Sequence, residues 1–467
     1  MSKLQVLFFT ICLMRPWETS AAPEQALTLP SFKLIRYEED YRFLKNQQPL
    51  DGLASKIKYL QFSPESDAYL SLGGEIRERY QNISGFNFGL NEIRHDDYLL
   101  HRALLHADIH LNKHVRGFVQ LANHNVFGKA NAITTVEENQ LDLQQAFAEF
   151  SMPIDDVVIS MRAGRQEMRF GSDRLVSVRN NPNVRRSFDA ARISIKTKDF
   201  DIDTFYALPL ELRDGVFDDQ DDDNQRFWGI YAASNKPVLT QPDAKIDIYY
   251  LGIDRESAIF AQGIADEHRH TLGTRVWNKI NQWDYNFEFA YQFGDFGQSN
   301  IRAWTLASDT GYRMSDLALK PRLGVKLNII SGDDDPNDKT LKTFNALFPN
   351  LTYFSENALI VPANLFNVHP SINLQVTPNL DFTAGWDFLW RYSTKDAFYT
   401  NPFRPLKGTA QLNQRYMGSE LNLDLNWQLN RNLQLSTSYV HFFASDLINA
   451  IGGGDVNFFM LMANYRF

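Results

Sequence analysis

The sequence predicts an all-β protein, a single large antiparallel β-barrel that crosses a membrane. Strand-length segments alternate an apolar, aromatic-rich face with a polar face across roughly four hundred residues. Short turns and long polar connections alternate along the chain, and the last strand-like segment, 458–467, ends on an aromatic residue. Because one face of each segment is almost wholly apolar, a protein core or a lipid bilayer must cover it.

Met1–Ala22 has the layout of a secretory signal peptide. Lys3 precedes an apolar run, Leu4–Met14, and a polar stretch then ends in small residues. The run is too short for a helix that spans a membrane. The only cysteine, Cys12, lies within it, and Ile11 is not the small residue that a lipidation site requires. We therefore expect residues 1–22 to be removed on export, which leaves a mature chain without cysteine.

The composition fits a membrane barrel better than a soluble or helical protein. The chain is 44% hydrophobic and 13% aromatic, with 35 Phe and 19 Tyr, and its mean hydropathy is −0.36. No later segment is long and apolar enough for a transmembrane helix. Polar residues that face a lumen dilute the lipid-facing ones, which explains the low mean hydropathy. The net charge of −9 argues against a globally basic nucleic-acid-binding protein.

Residues 23–68 precede the clear alternation. They contain the charged stretches 36–40 and 56–59 and are too few for the folded plug of an energy-coupled receptor. We expect an ordered amino-terminal segment that lies in the periplasm or enters the lumen. The transmembrane barrel is then predicted over 69–467.

Alternation predicts the barrel strands most clearly at 99–111, 283–294, 380–391 and 417–427. In the second of these segments one face is entirely aromatic, and it consists of Trp283, Tyr285, Phe287, Phe289, Tyr291 and Phe293. A soluble sandwich would show only a few such strands. At roughly two dozen residues per strand and connection, the length predicts about 16–18 antiparallel strands, a size that leaves an aqueous lumen.

The connections predict two different rims. Residues 377–379 and 429–432 make short turns, whereas 218–224 and 331–349 belong to long connections rich in Gly, Asp and Asn. Short turns on one side of the membrane and long loops on the other are typical of outer-membrane barrels. The predicted localisation is therefore the bacterial outer membrane.

Several blocks of the sequence, in order, resemble the alginate-export outer-membrane porin family. They are Arg36–Leu44, Leu72–Tyr80, Gly164–Glu167, Asn181–Arg192, Phe344–Pro349 with Tyr353-Phe354, and Trp386–Arg391. The resemblance runs from about Arg36 to Phe467, nearly the whole mature chain. It implies an eighteen-stranded barrel, with a lumen lined by arginine and lysine that passes a polyuronate chain outward.

Alternation places a set of cationic side chains on the lumen face, and we predict that they form the substrate pathway. The set is Arg77, Arg79, Arg102, Arg165, Arg192, Lys196, Arg275, Arg322, Lys326 and Arg391. Guanidinium groups bind carboxylates in a forked geometry, and several weak sites let an anionic chain slide. Alternatively, lumen arginines pair with lumen carboxylates such as Asp387, Glu420 and Asp424. Of the neighbours Arg185 and Arg186, at most one points inward.

Metal sites are poorly supported by the sequence. His106, His110 and His114 have the spacing of ligands on a helix, but on a strand they stand about 13 Å apart. The acidic runs 218–223 and 333–335 contain oxygen ligands, yet loops of like charge are more often solvated. They remain candidates for divalent cations that order an extracellular loop. We predict no metal and no cofactor.

The chain is predicted to be a channel and not an enzyme. Ser438 and His441 lie close in sequence, but their odd spacing places them on opposite faces of a strand. A passive porin for small anionic solutes is the main alternative to export, and a structural or adhesin barrel is a third. Loops folded into the lumen favour the porin, and an open lumen favours export. Expected partners are outer-membrane lipid and lipopolysaccharide, the barrel assembly machinery, and an anionic polysaccharide or small anions, without nucleic acid.

Overall fold

Eighteen antiparallel strands close into a barrel in the structure, a computed structural model that describes residues 29–46, 56–240 and 243–467. The strands lie in the compact unit Phe32–Phe467. The first nine are β1 (Tyr69–Ser84), β2 (His95–His110), β3 (Val115–Phe127), β4 (Asn139–Ile154), β5 (Val157–Gln166), β6 (Phe188–Lys196), β7 (Phe200–Glu211), β8 (Gln225–Ser234) and β9 (Asp243–Phe260). The others are β10 (Gly263–Ile280), β11 (Trp283–Phe296), β12 (Ser299–Arg313), β13 (Arg322–Ile330), β14 (Leu365–Thr377), β15 (Leu380–Arg391), β16 (Tyr416–Gln428), β17 (Leu433–Ala444) and β18 (Val456–Arg466).

Each strand pairs with the next along the chain, and β18 pairs with β1. The closing register runs from Glu75 opposite Arg466 to Ser84 opposite Asn457. Closure satisfies the backbone of the first and last strands, which an open sheet would leave exposed. The predicted antiparallel barrel is confirmed, and eighteen strands match the number that the family resemblance implies. The predicted signal peptide lies outside the described residues and stays a prediction.

The remaining elements are short. The 3₁₀ turns are Arg36–Glu38, Arg42–Asn46, Phe86–Gly89, Leu351–Tyr353 and Thr409–Gln411, and the one described α-helix is α1 (Asp446–Ala450). Two-residue strands extend the sheet at Leu60–Gln61, Gln220–Asp221, Leu239–Thr240 and Thr340–Leu341, and Tyr399–Thr400 pairs with Arg404–Pro405. None of the described helices has both the length and the apolar character needed to cross a membrane.

The predicted alternation is visible in the exposure of the side chains. On β11, Phe287 and Phe289 are 46% and 44% exposed, whereas Glu288 between them is 5% exposed. Apolar side chains therefore cover the outer wall, and polar side chains fill the inside. In an outer membrane, lipid covers this outer aromatic surface.

The longest connections all lie at the same rim, as the sequence predicts, although that rim also has the two-residue turns 261–262 and 297–298. Strands are joined at one rim, the short-turn rim, by 111–114, 155–156, 197–199, 235–242, 281–282, 314–321, 378–379 and 429–432. At the other rim, the long-loop rim, they are joined by 85–94, 128–138, 167–187, 212–224, 261–262, 297–298, 331–364, 392–415 and 445–455. Because the number of strands is even, β1 begins and β18 ends at the short-turn rim. Two of the long loops enter the barrel and narrow it.

Candidate functional site: the narrowed lumen

The loop between β5 and β6, residues 167–187, folds against the inner wall, and we call it the constriction loop. Arg77 Nη1 donates to the Asn180 carbonyl at 2.8 Å, and Arg102 Nη2 donates to the Asn180 side chain at 2.9 Å. Asn183 is fully buried, and its amide nitrogen donates to backbone carbonyls of β2 and β3. Polar side chains thus fix this loop to the wall at β1–β3.

The loop between β13 and β14, residues 331–364, is the long lumen loop. The ring of Phe348 lies 5.2 Å from the ring of Phe188 and 4.9 Å from that of Phe227. The Phe348 backbone N–H donates to the Leu175 carbonyl at 2.9 Å, which joins the two loops directly. Buried aromatic packing inside the barrel therefore holds this loop in the lumen.

Polar contacts fix the long lumen loop on two sides of the barrel. Arg79 of β1 pairs with Glu356 at 3.2 Å. Lys326 of β13 donates to the Tyr353 carbonyl at 2.9 Å and lies 4.7 Å from the centre of the Tyr353 ring. In the closed barrel, β13 and β1 flank the run of strands β14–β18. The loop contacts both flanking strands, so it lies across part of the wall that β14–β18 form.

The amino-terminal segment also contacts the inner wall. The ring of Tyr37 lies 6.0 Å from that of Phe118 and 5.3 Å from that of Phe147, both of which are buried. Its hydroxyl donates to the Glu167 carbonyl of the constriction loop at 2.8 Å. The described part of this segment is therefore linked to the loop that narrows the lumen.

Six of the ten predicted pathway cations hold a carboxylate. The ion pairs are Arg79–Glu356 (3.2 Å), Arg102–Glu75 (2.5 Å), Arg165–Asp189 (3.0 Å), Arg192–Asp203 (2.8 Å), Arg275–Asp247 (2.6 Å) and Arg322–Asp309 (3.1 Å). Arg322 also contacts Asp284. The ordinary lumen pairing considered as the alternative therefore occurs at these positions.

The other four predicted cations have different surroundings. Arg77 donates to the constriction loop, and Lys326 donates to the long lumen loop. Arg391 is fully buried and donates to five backbone carbonyls within 392–415. Lys196 is exposed and forms no ion pair among the described residues. Arg391 therefore anchors a loop, and its guanidinium is not open to the lumen.

The structure brings only part of the predicted set together. Arg77, Arg79 and Arg102 form one cluster on β1 and β2, because they share the inner face and adjacent register positions. Arg165 lies apart from this cluster, between Asp142 and Asp189. A role of these residues in a substrate pathway stays a prediction.

Two arginines outside the predicted set face a cavity. Arg179 and Arg186 of the constriction loop line a space of about 600 Å³, together with Arg255 and Arg404. Neither Arg179 nor Arg186 forms an ion pair with a described carboxylate; each donates one long bond to a backbone carbonyl, at 3.4 and 3.5 Å. We call this space the arginine cavity.

These two half-buried guanidinium groups lack a described carboxylate that would compensate their charge. Burial lowers the pKa of Arg179 to about 10. Burial also lowers the pKa of Arg186 well below its usual value, and the neighbouring charges of Arg179 and Arg255 add to the effect. A bound anion would reverse the effect of the neighbouring charges, because it favours the protonated guanidinium. The cavity is thus suited electrostatically to a carboxylate.

The size of the cavity and the geometry of its hydrogen-bond donors indicate which class of ligand it fits. Its volume lies in the range of pockets that hold small organic ligands. Guanidinium groups offer forked donors that match both oxygens of a carboxylate. Asp222 and Glu256 also line the space, so a ligand with hydroxyl groups meets acceptors as well as cations.

Strand alternation could not reveal this site, because both arginines belong to a loop. The pair Arg185-Arg186 was the available signal, and the structure separates the two residues. Arg185 pairs with the buried Glu167 at 2.7 Å, and Arg186 faces the cavity. Arg179 has no adjacent arginine and lies outside the alternating strand segments, so no sequence pattern marks it.

Solved outer-membrane porins share the fold of the chain. OccAB1 of Acinetobacter baumannii is 12% identical, with a TM-score of 0.57, over 86% of this chain and 98% of that one. OccD3 (OpdP) of Pseudomonas aeruginosa is 11% identical, with a TM-score of 0.57, over 94% and 99%. OccK2 (OpdF) of Pseudomonas aeruginosa, in complex with glucuronate, is 10% identical, with a TM-score of 0.54, over 88% and 98%.

Sequence comparison gives the family. No curated protein sequence matches the chain. The family model described as "Alginate export" matches residues 68–460, which is most of the chain and nearly all of the barrel. With the closed barrel and the porin fold, this match confirms the predicted resemblance and the predicted localisation. The chain belongs to the alginate export family, and it is an outer-membrane β-barrel channel.

Proposed function

We propose that this channel carries carboxylated sugars of the uronate class, singly or as an anionic polysaccharide that leaves the cell. The observation that carries the proposal is the arginine cavity, where Arg179 and Arg186 lack carboxylate partners beside the constriction loop. A solute that enters the cavity supplies the missing anion. Its hydroxyl groups find acceptors on the cavity wall.

Family and chemistry support this substrate class. The matching family model is described as "Alginate export", and alginate is a polyuronate. OccK2, which shares the fold, was solved with glucuronate, a single uronate. A polymer with one carboxylate per sugar engages several weak cationic sites in turn, which allows movement without a tight trap.

The two lumen loops favour a second candidate, passive permeation of small anionic solutes. Both loops occupy the lumen and touch each other, so the described conformation is narrow. Passage of a polymer then requires the loops to separate, whereas a single uronate does not need the same width. Contacts with lipopolysaccharide and with the assembly machinery remain predictions.

The test is single-channel recording in planar bilayers with glucuronate and uronate oligomers. We expect the oligomers to block the parent channel. Replacing both cavity arginines, Arg179→Ala with Arg186→Ala, should weaken that block by at least about tenfold, because each charge-assisted bond contributes about 1.5–3 kcal/mol. Chloride conductance should change much less, since a small ion depends mainly on the narrowest point.

The matched control is Arg302→Ala on the outer face of β12, where the exposed Arg302 shares a face with Leu306. This variant should leave both block and conductance unchanged. Equal losses of block and of chloride conductance in the cavity variant would remove the case for a uronate site. Absence of any block in the parent channel would reject uronates as the solute class.

A further inference from the structure

A second polar cluster lies on the lumen face of β14, β15 and β16, outside the arginine cavity. Its members are His369, Asp387, Glu420 and Asn422. Asp387 and Glu420 are fully buried, and Asn422 and His369 are 4% and 6% exposed. Two carboxylates, an amide and an imidazole are thus held together away from bulk water.

Strand register brings the two carboxylates side by side. Asp387 of β15 is the direct cross-strand partner of Glu420 on β16, so their Cβ atoms are about 4.5–5.5 Å apart. Asn422 is the next residue on the same face of β16. His369 Nδ1 lies 3.7 Å from Asp387 Oδ2. Asp387 is therefore the central member of the cluster, since it contacts His369 on one neighbouring strand and lies opposite Glu420 on the other.

Each carboxylate has one satisfied oxygen and one that is not. Asn367 donates to Asp387 Oδ1 at 2.7 Å, and Asn357 of the long lumen loop donates to Glu420 Oε2 at 2.7 Å. Asp387 Oδ2 and Glu420 Oε1 have no hydrogen-bond partner among the described residues. The same holds for Asn422 Oδ1 within that part of the chain. Three buried oxygens, and beside them the nitrogens Asn422 Nδ2 and His369 Nδ1, are left without a hydrogen bond among the described residues.

No described lysine or arginine forms an ion pair with these carboxylates, and His369 is the one described base within ion-pair distance. Lys326 is the closest candidate by register, opposite His369, but its ammonium donates to the Tyr353 carbonyl instead. Two adjacent buried carboxylates repel each other and lose hydration, so they are stable only with a compensating positive charge or a shared proton.

We propose that Asp387, Glu420 and Asn422 bind a divalent cation of the calcium class, with His369 beside it. Carboxylate and amide oxygens are the ligands that Ca²⁺ prefers, and Ca²⁺ accepts irregular geometry. The cation holds Glu420 in place while its other oxygen binds Asn357, and so it fixes the long lumen loop to the wall of β16.

The acidic cluster at Asp142, Asp218 and Asp219 provides a contrast. Its oxygens lie within 4.8 Å of one another. However, the Asp142 carboxylate already accepts the backbone N–H groups of Asp218 and Asp219 at 3.0 Å each, and Arg165 lies 3.4 Å away. These donors replace a cation, so this cluster serves as a control.

The experiment is equilibrium dialysis of the purified full-length chain in detergent against Ca²⁺, without any uronate. We expect about one Ca²⁺ per chain in the parent. The double variant Asp387→Asn with Glu420→Gln should lose it, and Asp142→Asn should retain it. Far-UV circular dichroism and the heat-dependent shift of the folded barrel in gel electrophoresis check that the double variant is folded.

A milder change keeps the test valid if the double variant does not fold. Asn422→Ala removes one neutral ligand and should weaken Ca²⁺ affinity about tenfold. A parent that binds no Ca²⁺, or a double variant that binds it as well as the parent, would overturn the proposal. Because uronate takes no part, this result is independent of the proposed solute.

Discussion

A guanidinium that faces the lumen is available to a solute only when no carboxylate already holds it. Arg102 faces inward but is bound to Glu75 at 2.5 Å. Arg186 has no such partner and faces a cavity. In a low-dielectric interior a paired charge is neutralised locally, whereas an uncompensated charge attracts an anion. Pairing, more than orientation, therefore decides which arginines can bind a substrate.

Glu167 makes the charge of the constriction loop sensitive to pH. Burial raises its pKa to about 7, although the neighbouring Arg185 opposes this shift. At about pH 8 the group is a carboxylate, and at about pH 6 it is neutral, so acidification leaves the loop more positive. We expect the chloride-to-potassium permeability ratio, measured from reversal potentials, to rise as pH falls, with half of the change at about pH 7.

Glu167→Gln should hold the permeability ratio near its low-pH value throughout. Other acidic groups titrate in the same window, for example Asp219, whose pKa burial raises to about 6. The informative quantity is therefore the difference between the parent and the variant in how the permeability ratio changes with pH. A variant with the same pH profile as the parent would show that Glu167 does not act on the permeating ions.

For individual arginines, the sequence predicted which way the side chain points but not which carboxylate it pairs with. Alternation placed Arg77, Arg79 and Arg102 on the inner face, and the structure places them there. Their partners could not be predicted, because a partner depends on the register between strands and on the path of distant loops. Glu356, which pairs with Arg79, is far from it in the sequence.

At the scale of elements, strands were predictable and loops were not. The segment 380–391 predicted from alternation coincides with β15, and β11 begins at the predicted Trp283. Alternation is a local property that lipid imposes on each strand separately. The path of the constriction loop depends instead on long-range contacts, such as those of Asn183 with β2 and β3.

The amino-terminal segment is expected to restrict the channel through Tyr37. This side chain packs on Phe118 and Phe147 and binds the Glu167 carbonyl. Tyr37→Ala should weaken the docking of the segment by about 3 kcal/mol, in the range for loss of a large buried side chain. We expect a higher and noisier single-channel conductance in planar bilayers.

Arg42→Ala is the matched control for this change, because Arg42 is exposed and its one ion pair among the described residues is with the nearby Asp40. The control should keep the conductance of the parent. If Tyr37→Ala also keeps it, the segment does not limit ion flow, and its contacts serve only to order the chain.

Taken as a whole, the molecule is a closed β-barrel wall with two long loops folded into its interior. Closure of β18 on β1 completes the wall, and the two lumen loops are held against it by aromatic packing, ion pairs and side-chain hydrogen bonds. The wall was predictable, because length and alternation indicate about 16–18 antiparallel strands and the family resemblance implies eighteen. The sequence did not predict that these two loops enter the lumen, since their path depends on contacts between residues that are far apart in the sequence.

The last prediction separates polymer export from permeation of small anions by locking the two loops together. Val176 of the constriction loop and Phe348 of the long lumen loop are bridge partners. A disulfide between Val176→Cys and Phe348→Cys would join the loops, and the sole native cysteine, Cys12, lies in the predicted signal peptide.

If polymers pass only when the loops separate, the oxidised variant should still conduct chloride and glucuronate but stop the translocation of long uronate oligomers. Reduction should restore it, as measured by release of oligomers from liposomes. Passage of long oligomers through the oxidised channel would show that polymers need no loop separation, and failure to pass in either state would favour the small-anion porin.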